Sequence, residues 1–137
     1  PIDNRLQVAA HAYSEDVLEQ AQRQKSTPKF ERAKALVCGG ARLIYISGTA
    51  AIRGEESLAG VGLARQLQVT MENIAELTGS ASLAYLRVYL KNPADYVEAS
   101  RLLEAYGLGI PIIFMWADVC RNELLIEIEG LAREENG

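Results

Sequence analysis

The stretch AKALVCGGARLIYISG, residues 33–48, decides the fold of this chain. Two apolar runs flank Gly39 and Gly40, and glycine tolerates the positive φ angles of a tight hairpin turn. The pattern therefore predicts strands at about 33–38 and 42–48 that pair with each other. This hairpin is the first part of a sheet that later segments extend.

A long helix is predicted after the hairpin. Apolar residues recur at helical spacing between residues 58 and 78, with Leu63 and Leu67 near one stripe, and Gly79 is placed to end the helix. Gly60-Val61-Gly62 falls early in this helix and lacks the strand context and third glycine of a dinucleotide loop. The sequence accordingly predicts no cofactor.

The remaining segments complete an α+β pattern. SLAYLRVYL at 82–90 is typical of a strand, and a second helix begins at Asn92-Pro93. The short apolar runs at 112–117 and 124–132 predict two final strands. The order is ββαβαββ, which indicates a mixed sheet with two helices on one face.

The chain is predicted to divide into an N-terminal arm or linker, residues 1–29, and one domain, residues 30–137. The arm shows no clear period apart from a short helix expected from Ser14. Pro1 stands where an initiator Met is expected, which indicates a processed product or a piece of a longer chain.

Composition disfavours several classes of function. The net charge is −4 and the fourteen Lys and Arg residues are scattered, so no nucleic-acid partner is expected. No apolar run approaches the length of a membrane span, and no membrane partner is predicted. The two cysteines show no metal or disulfide spacing, so we expect a cytoplasmic protein with no metal site.

The sheet face opposite the helices is expected to be apolar. Tyr85, Tyr89 and the strand at 112–117 add bulk there, and a small sheet does not leave such a surface in water. We therefore predict that the chain self-associates as a homotrimer and that this face is buried between its copies.

Several motifs together resemble one family. LIYISGTAAIRGEES, then ARQLQVTMENIAELTG, then LLIEIEGLA follow the order of the YjgF/RidA superfamily over residues 30–132. PIDNRLQ at 1–7, PKFERA at 28–33, SGTAAI at 47–52 and ADVCRNELLIEIEG at 117–130 are more similar still to the C-terminal half of the chorismatases.

The resemblance implies a chorismate-mutase-like fold, trimers or pseudo-trimers, and a cleft between neighbouring units for a small anionic metabolite. Chorismatases hydrolyse the enolpyruvyl ether of chorismate, and this chain resembles only their second half, so a missing N-terminal domain of the same parent chain is one possible partner. RidA proteins instead deaminate enamines and imines. The alternatives are a RidA-like deaminase or hydrolase and a noncatalytic ligand-binding or scaffold domain.

Two departures from these families bear on activity. RidA deaminases carry an Arg after a Pro-Ala on the penultimate strand, whereas this chain reads Pro111-Ile112-Ile113 and lacks that carboxylate clamp. Chorismatases usually have a His where this chain has Glu55.

Glu127 is the leading catalytic candidate. A carboxyl on a strand within a buried cleft can hold a raised pKa and protonate an enol ether, and this residue matches the functional Glu of the family. The alternative is that Glu127 and Glu129 mark the solvent-exposed face of an edge strand.

Cys120 is the second catalytic candidate, because it would face Glu127 if the last two strands formed a hairpin. One chorismatase branch is similar in having a cysteine here. The alternative for Cys120 is a small buried hydrophobe.

The predicted substrate-binding residues lie elsewhere in the sequence. Ser47, Gly48 and Thr49 end a predicted strand, where N–H and hydroxyl groups can meet an anion. Arg32 can pair with a ligand carboxylate, with Phe30 as a wall of the site. The alternatives are that residues 47–49 form only a strand end with a glycine kink at Gly48, and that Arg32 is an ordinary exposed arginine.

Overall fold

The predicted hairpin is present in the computed structural model, which describes residues 2–3, 32–53, 56–119 and 121–135. Strand β1 (Ile2–Asp3) pairs antiparallel with β2 (Ala33–Cys38), and β2 pairs antiparallel with β3 (Ala41–Ala50). Gly39 takes a φ of 59° in the turn between β2 and β3. That conformation favours glycine, as the sequence predicts.

The other elements follow the predicted order, with two short strands added before the first helix and a 3₁₀ turn before the second. They are the short strands β4 (Ile52–Arg53) and β5 (Glu56–Ser57), helix α1 (Leu63–Thr78), β6 (Ser82–Leu90), a 3₁₀ turn (Pro93–Asp95), α2 (Tyr96–Glu104), β7 (Ile112–Trp116) and β8 (Ile126–Glu135). The main sheet has the order β1-β2-β3-β8-β6-β7, in which only β6 and β7 are parallel, whereas β4 and β5 form a separate hairpin. The α+β class with a mixed sheet and two helices is confirmed.

The long helix begins later than predicted. Gly60 and Gly62 have φ angles of 70° and 83°, which a right-handed helix does not contain, and α1 starts at Leu63. The residues assigned to its first turn instead lie in the connection after β5, where the N–H of Leu58 donates to the carbonyl of Ala51 at 2.9 Å.

The core lies between the helices and one face of the sheet. Ile126 and Ile128 of β8 and Leu86 of β6 are fully buried there, together with Leu67 and Ile74 of α1. Each such side chain contributes roughly 1.5–3 kcal/mol through its burial. The alternation on β8 directs the intervening residues, including Glu127 and Glu129, to the opposite face, which we call the open face.

The final two strands do not form a hairpin. β7 pairs with β6, and β8 inserts between β3 and β6, so β6 separates the two. The basis for placing Cys120 opposite Glu127 is therefore wrong. The same pairing shows that β8 is a central strand, which removes the edge-strand interpretation of Glu127.

Some predictions fall outside the described residues. The helix expected from Ser14, most of the arm at 1–29, and residues Phe30, Glu55 and Cys120 are among them. Within the described residues, no helix is both long enough and apolar enough to cross a membrane.

Candidate functional site

Glu127 lies at the centre of the sheet. Its backbone is opposite Ala50 of β3 on one side and Tyr89 of β6 on the other, and its side chain is half-buried on the open face. A central strand flanked by two others holds the Cα position of this carboxylate firmly. Only the side chain retains freedom to move.

A bulge in β3 makes room for the Glu127 carboxylate. Ile46 is opposite Gly130 and Thr49 is opposite Ile128, so β3 uses one more residue than β8 over this interval. A Cβ placed on Gly48 would lie 2.6 Å from Oε1 of Glu127. Glycine is therefore required at this position if the carboxylate keeps its place. Strand β3 continues to Ala50, two residues beyond the predicted end at residue 48, so Ser47, Gly48 and Thr49 lie within the strand near its end.

The surroundings of Glu127 disfavour its charged form. Desolvation by burial raises the pKa of the Glu127 carboxyl, the negative charge of Glu129 raises it further, and the positive charge of Arg32 opposes both effects. The main chain of Arg32 is fixed nearby, because the N–H of Ser47 donates to its carbonyl at 2.9 Å. The direction of this pKa agrees with the sequence-based expectation, and of the predicted binding residues Gly48 lies against Glu127 and the charge of Arg32 acts on it.

A second carboxylate, Glu129, is held by two donors on β6. Nε of Arg87 lies 2.8 Å from Oε1 of Glu129, and the hydroxyl of Tyr89 donates to the same oxygen. The hydrogen bond to Glu129 is the main reason that the pKa of the Tyr89 phenol is raised. The two glutamates, two residues apart on one face, thus have different environments: Glu129 accepts a hydrogen bond from Tyr89 and forms an ion pair with Arg87, and Glu127 has no hydrogen-bond partner among the described residues.

Thr49 lies on the opposite side of β3. Its hydroxyl donates to the carbonyl of Ser47 at 2.9 Å, and it lines a pocket of about 120 Å³ between β3 and α1, together with Arg32 and Asn73. The amide of Asn73 holds the end of β3, donating to the carbonyls of Ala50 at 3.0 Å and Ile52 at 3.2 Å. Thr49 therefore faces α1, whereas the Glu127 side chain lies on the open face.

The turn that precedes β8 is tied to α1 by Gln66. This buried amide donates to the carbonyls of Leu58 at 3.0 Å and Glu123 at 2.9 Å, and its Oε1 accepts from the N–H of Leu125 at 2.8 Å. Nζ of Lys91 also donates to the carbonyl of Asn122 at 2.6 Å. These bonds fix the approach of the chain to Glu127.

The sequence analysis missed Arg87 as a site residue and treated Tyr89 only as bulk. Their alternation within SLAYLRVYL indicates a shared face, but the pairing of β6 with β8 is needed to place that face beside Glu127. Within the described residues, no cluster of three His, Cys, Asp or Glu side chains could hold a metal ion.

The chain is similar to chorismatases in sequence. A 3-hydroxybenzoate synthase of Streptomyces hygroscopicus is 28% identical over 149 aligned positions, which cover 95% of this chain and 42% of the relative. A chorismatase of Streptomyces rapamycinicus is 30% identical over 121 positions, covering 76% of this chain and 36% of the relative. The chain thus spans less than half the length of these relatives. No protein-family model matches it.

Solved structures show the same relationship in three dimensions. A chorismatase crystal structure superposes with a TM-score of 0.67 at 26% identity, covering 77% of this chain and 36% of the other. The YjgF gene product of E. coli superposes with a TM-score of 0.61 at 17% identity, covering 78% and 89%. The second comparison carries the fold alone.

Proposed function

Because this chain has the YjgF/RidA fold and is similar to the chorismatases in sequence and structure, we propose that it hydrolyses the enolpyruvyl ether of chorismate or of a similar small anionic metabolite. The observation that carries the proposal is the environment of Glu127. Its half-buried carboxyl, with a raised pKa, lies against Gly48 on a central strand. A raised pKa favours the protonated carboxyl, which is the form that an enol ether requires as a general acid.

The proposed reaction begins with proton transfer from Glu127. The carboxyl gives its proton to the methylene carbon of the enolpyruvyl group, and the electron pair of the double bond forms the new C–H bond. Water then adds to the resulting oxocarbenium carbon and loses a proton to the Glu127 carboxylate. The hemiketal then collapses: the bond from its central carbon to the ether oxygen breaks, and the hydroxyl proton passes to that oxygen. The products are pyruvate and a ring alcohol. One water is consumed and Glu127 is regenerated.

Substitution of Glu127 tests this proposal. Glu127→Gln retains the shape of the side chain but cannot supply the proton, so pyruvate release from chorismate should fall by about 100-fold or more. Glu135→Gln is the matched control, because Glu135 is an exposed residue of the same strand. Pyruvate release is followed by a coupled assay, both for this chain and for any longer reading frame that contains it. Wild-type turnover in Glu127→Gln would contradict the proposed role.

The alternative deaminase activity is tested with the same preparation. Ile113 of β7 cannot donate a hydrogen bond to a substrate carboxylate, so a carboxylate on this face must bind at another position than in RidA proteins, and a 2-aminoacrylate-type imine should be hydrolysed more slowly than by a RidA protein. An imine rate equal to that of a RidA protein, with no pyruvate release from chorismate, would favour the deaminase. No turnover of either substrate would favour a noncatalytic domain.

The open face supports a proposal of self-association as a homotrimer. Tyr45 and Ile113 are 47% and 54% exposed there, and Leu131 and Tyr85 lie between them on the central strands. The apolar part of this face favours burial against a second copy, although Glu127, Glu129 and Arg87 make the face less apolar than the sequence predicts. Sedimentation at micromolar concentration should give the mass of a trimer, and Tyr45→Asp should reduce it. A monomer in the wild type would contradict the proposal.

A further inference from the structure

Arg87 is a cation on the open face close to Glu127. It lies opposite Glu129 on β8, and the next residue on the same face of β6, Tyr89, is opposite Glu127. Residues in this diagonal relation have Cα atoms roughly 7–8 Å apart across an antiparallel pair, which is within reach of a long side chain. The side chain of Arg87 is 45% exposed in the single chain, so a ligand in a cleft between this face and a second copy can reach it.

The contacts of Arg87 leave one edge of its guanidinium available. Across the described residues, its ion pair with Glu129 has its contact at Nε, and neither Nη nitrogen donates a hydrogen bond. An arginine presents two forks, one from Nε with an Nη and one from the two Nη nitrogens. Since Glu129 occupies Nε, the end-on fork remains, and two parallel N–H donors match a carboxylate.

The same contacts orient the fork before any ligand binds. Glu129 lies directly across from Arg87 and is itself fixed by the hydroxyl of Tyr89. The neighbours of these two β6 residues on β7 are Ile113 and Met115, which offer no competing charge. A guanidinium held in this way loses little side-chain entropy when it binds a carboxylate.

We propose that Arg87 binds the carboxylate of the substrate through its two Nη nitrogens, with Glu129 and Tyr89 as positioning residues. This inference rests on the proposed function and deepens it. In an enolpyruvyl ether, the methylene carbon that accepts the proton lies two bonds from the carboxylate carbon. An anchor beside Glu127 therefore brings that carbon toward the acid. Arg87 also supplies a cation on the open face next to Ile113, since β7 lacks the arginine that RidA deaminases carry on this strand.

Binding of simple probes tests Arg87 without catalysis. Benzoate and benzamide have nearly the same shape, but only benzoate is charged, and their dissociation constants can be compared by NMR titration. The wild type should prefer benzoate at least tenfold, and Arg87→Met should abolish the preference. Arg87→Lys keeps the charge without the fork and should retain part of it. Arg133→Met, at the far end of the same face, should leave it unchanged.

Two outcomes would overturn the inference. One is a wild type that binds benzoate no better than benzamide. The other is a preference that survives in Arg87→Met but is lost in Arg32→Met, which would assign the carboxylate to Arg32. Circular dichroism and sedimentation of every variant separate these outcomes from misfolding or altered association, and Arg87→Lys supplies the answer if Arg87→Met does not fold.

Kinetics distinguish failure of this inference from failure of the proposed function. Arg87→Met should raise KM for chorismate about tenfold or more with a smaller effect on kcat, whereas Glu127→Gln should act mainly on kcat. If the wild type releases no pyruvate but its preference for benzoate depends on Arg87, the proposed reaction fails and the anion site stands. If Arg87→Met releases pyruvate with the same KM for chorismate as the wild type, the proposed anion site is wrong and the proposed reaction stands.

Discussion

Gly48→Ala perturbs Glu127 from the neighbouring strand without touching the carboxyl itself. The new Cβ would lie 2.6 Å from Oε1 and 2.9 Å from Cδ of Glu127, so the carboxylate must move by about 0.8 Å to reach an ordinary contact of 3.4 Å. The φ angle of Gly48 is not positive, so alanine meets no backbone strain. The obstacle is the far end of a flexible side chain, and we expect a loss of stability below about 1 kcal/mol.

The expected effect is on chemistry, because a displacement approaching 1 Å can cost about 100-fold in rate. Gly48→Ala should therefore lower pyruvate release by roughly 10- to 100-fold. It should also lower the pKa of Glu127 toward its usual value as the carboxyl turns to water. A ¹³C-glutamate NMR titration measures that pKa, and Gly40→Ala is the control, since its Cβ meets nothing within 4 Å.

Full turnover in Gly48→Ala, with an unchanged pKa of Glu127, would refute the idea that the bulge positions the carboxyl. Loss of turnover in Gly40→Ala as well would instead point to a general sensitivity of β3 and its turn. A large loss of stability in Gly48→Ala alone would show that Glu127 cannot rotate away, contrary to the expected mechanism.

Three further predictions concern the sheet at Gly130, the helix residue Gln66 and the pH dependence of stability. Gly130→Ala would bring a Cβ to 2.5 Å from the carbonyl oxygen of Tyr85, a backbone atom that cannot rotate away, and should cost about 1–3 kcal/mol in urea unfolding. Gln66→Met leaves three main-chain groups unsatisfied and should cost about 2 kcal/mol or more, whereas Gln68→Met, on the exposed side of α1, should stay within about 0.5 kcal/mol. Because the folded-state pKa of Glu127 is raised, the wild type has extra stability below the unfolded pKa and loses it as pH rises through the folded pKa. Glu127→Gln should therefore gain free energy of unfolding relative to wild type between pH 4 and pH 8, and a pH-independent difference would contradict this.

Local pattern was enough to predict most elements. The apolar runs on either side of Gly39 gave β2 and β3 almost to the residue, and the alternation around Glu127 and Glu129 gave the two faces of β8. These features depend on residues near one another in sequence, where periodicity and glycine conformations act directly. The late start of α1 is the exception, because the positive φ angles of Gly60 and Gly62 outweigh a helical spacing of apolar residues.

The pairing between strands distant in sequence could not be predicted from such local patterns. β8 enters between β3 and β6, although β7 precedes it in sequence, and this placement decides which side chains surround Glu127. A short apolar strand such as β7 fits either a hairpin or a parallel edge equally well by composition. For that reason the hairpin argument for Cys120 failed, and Arg87 was not recognised.

The two glutamates of β8 would have different roles in a site that binds an anion. Glu129 is a carboxylate compensated by Arg87 and Tyr89, and Glu127 is desolvated beside that negative charge. If a substrate carboxylate binds the Nη fork of Arg87, it adds a second negative charge near Glu127, which raises the pKa of Glu127 further because like charges disfavour ionisation. Binding of the substrate would then favour the protonated acid at the step where the proton is needed. An uncharged analogue would lose both the anchor and this electrostatic contribution to proton retention.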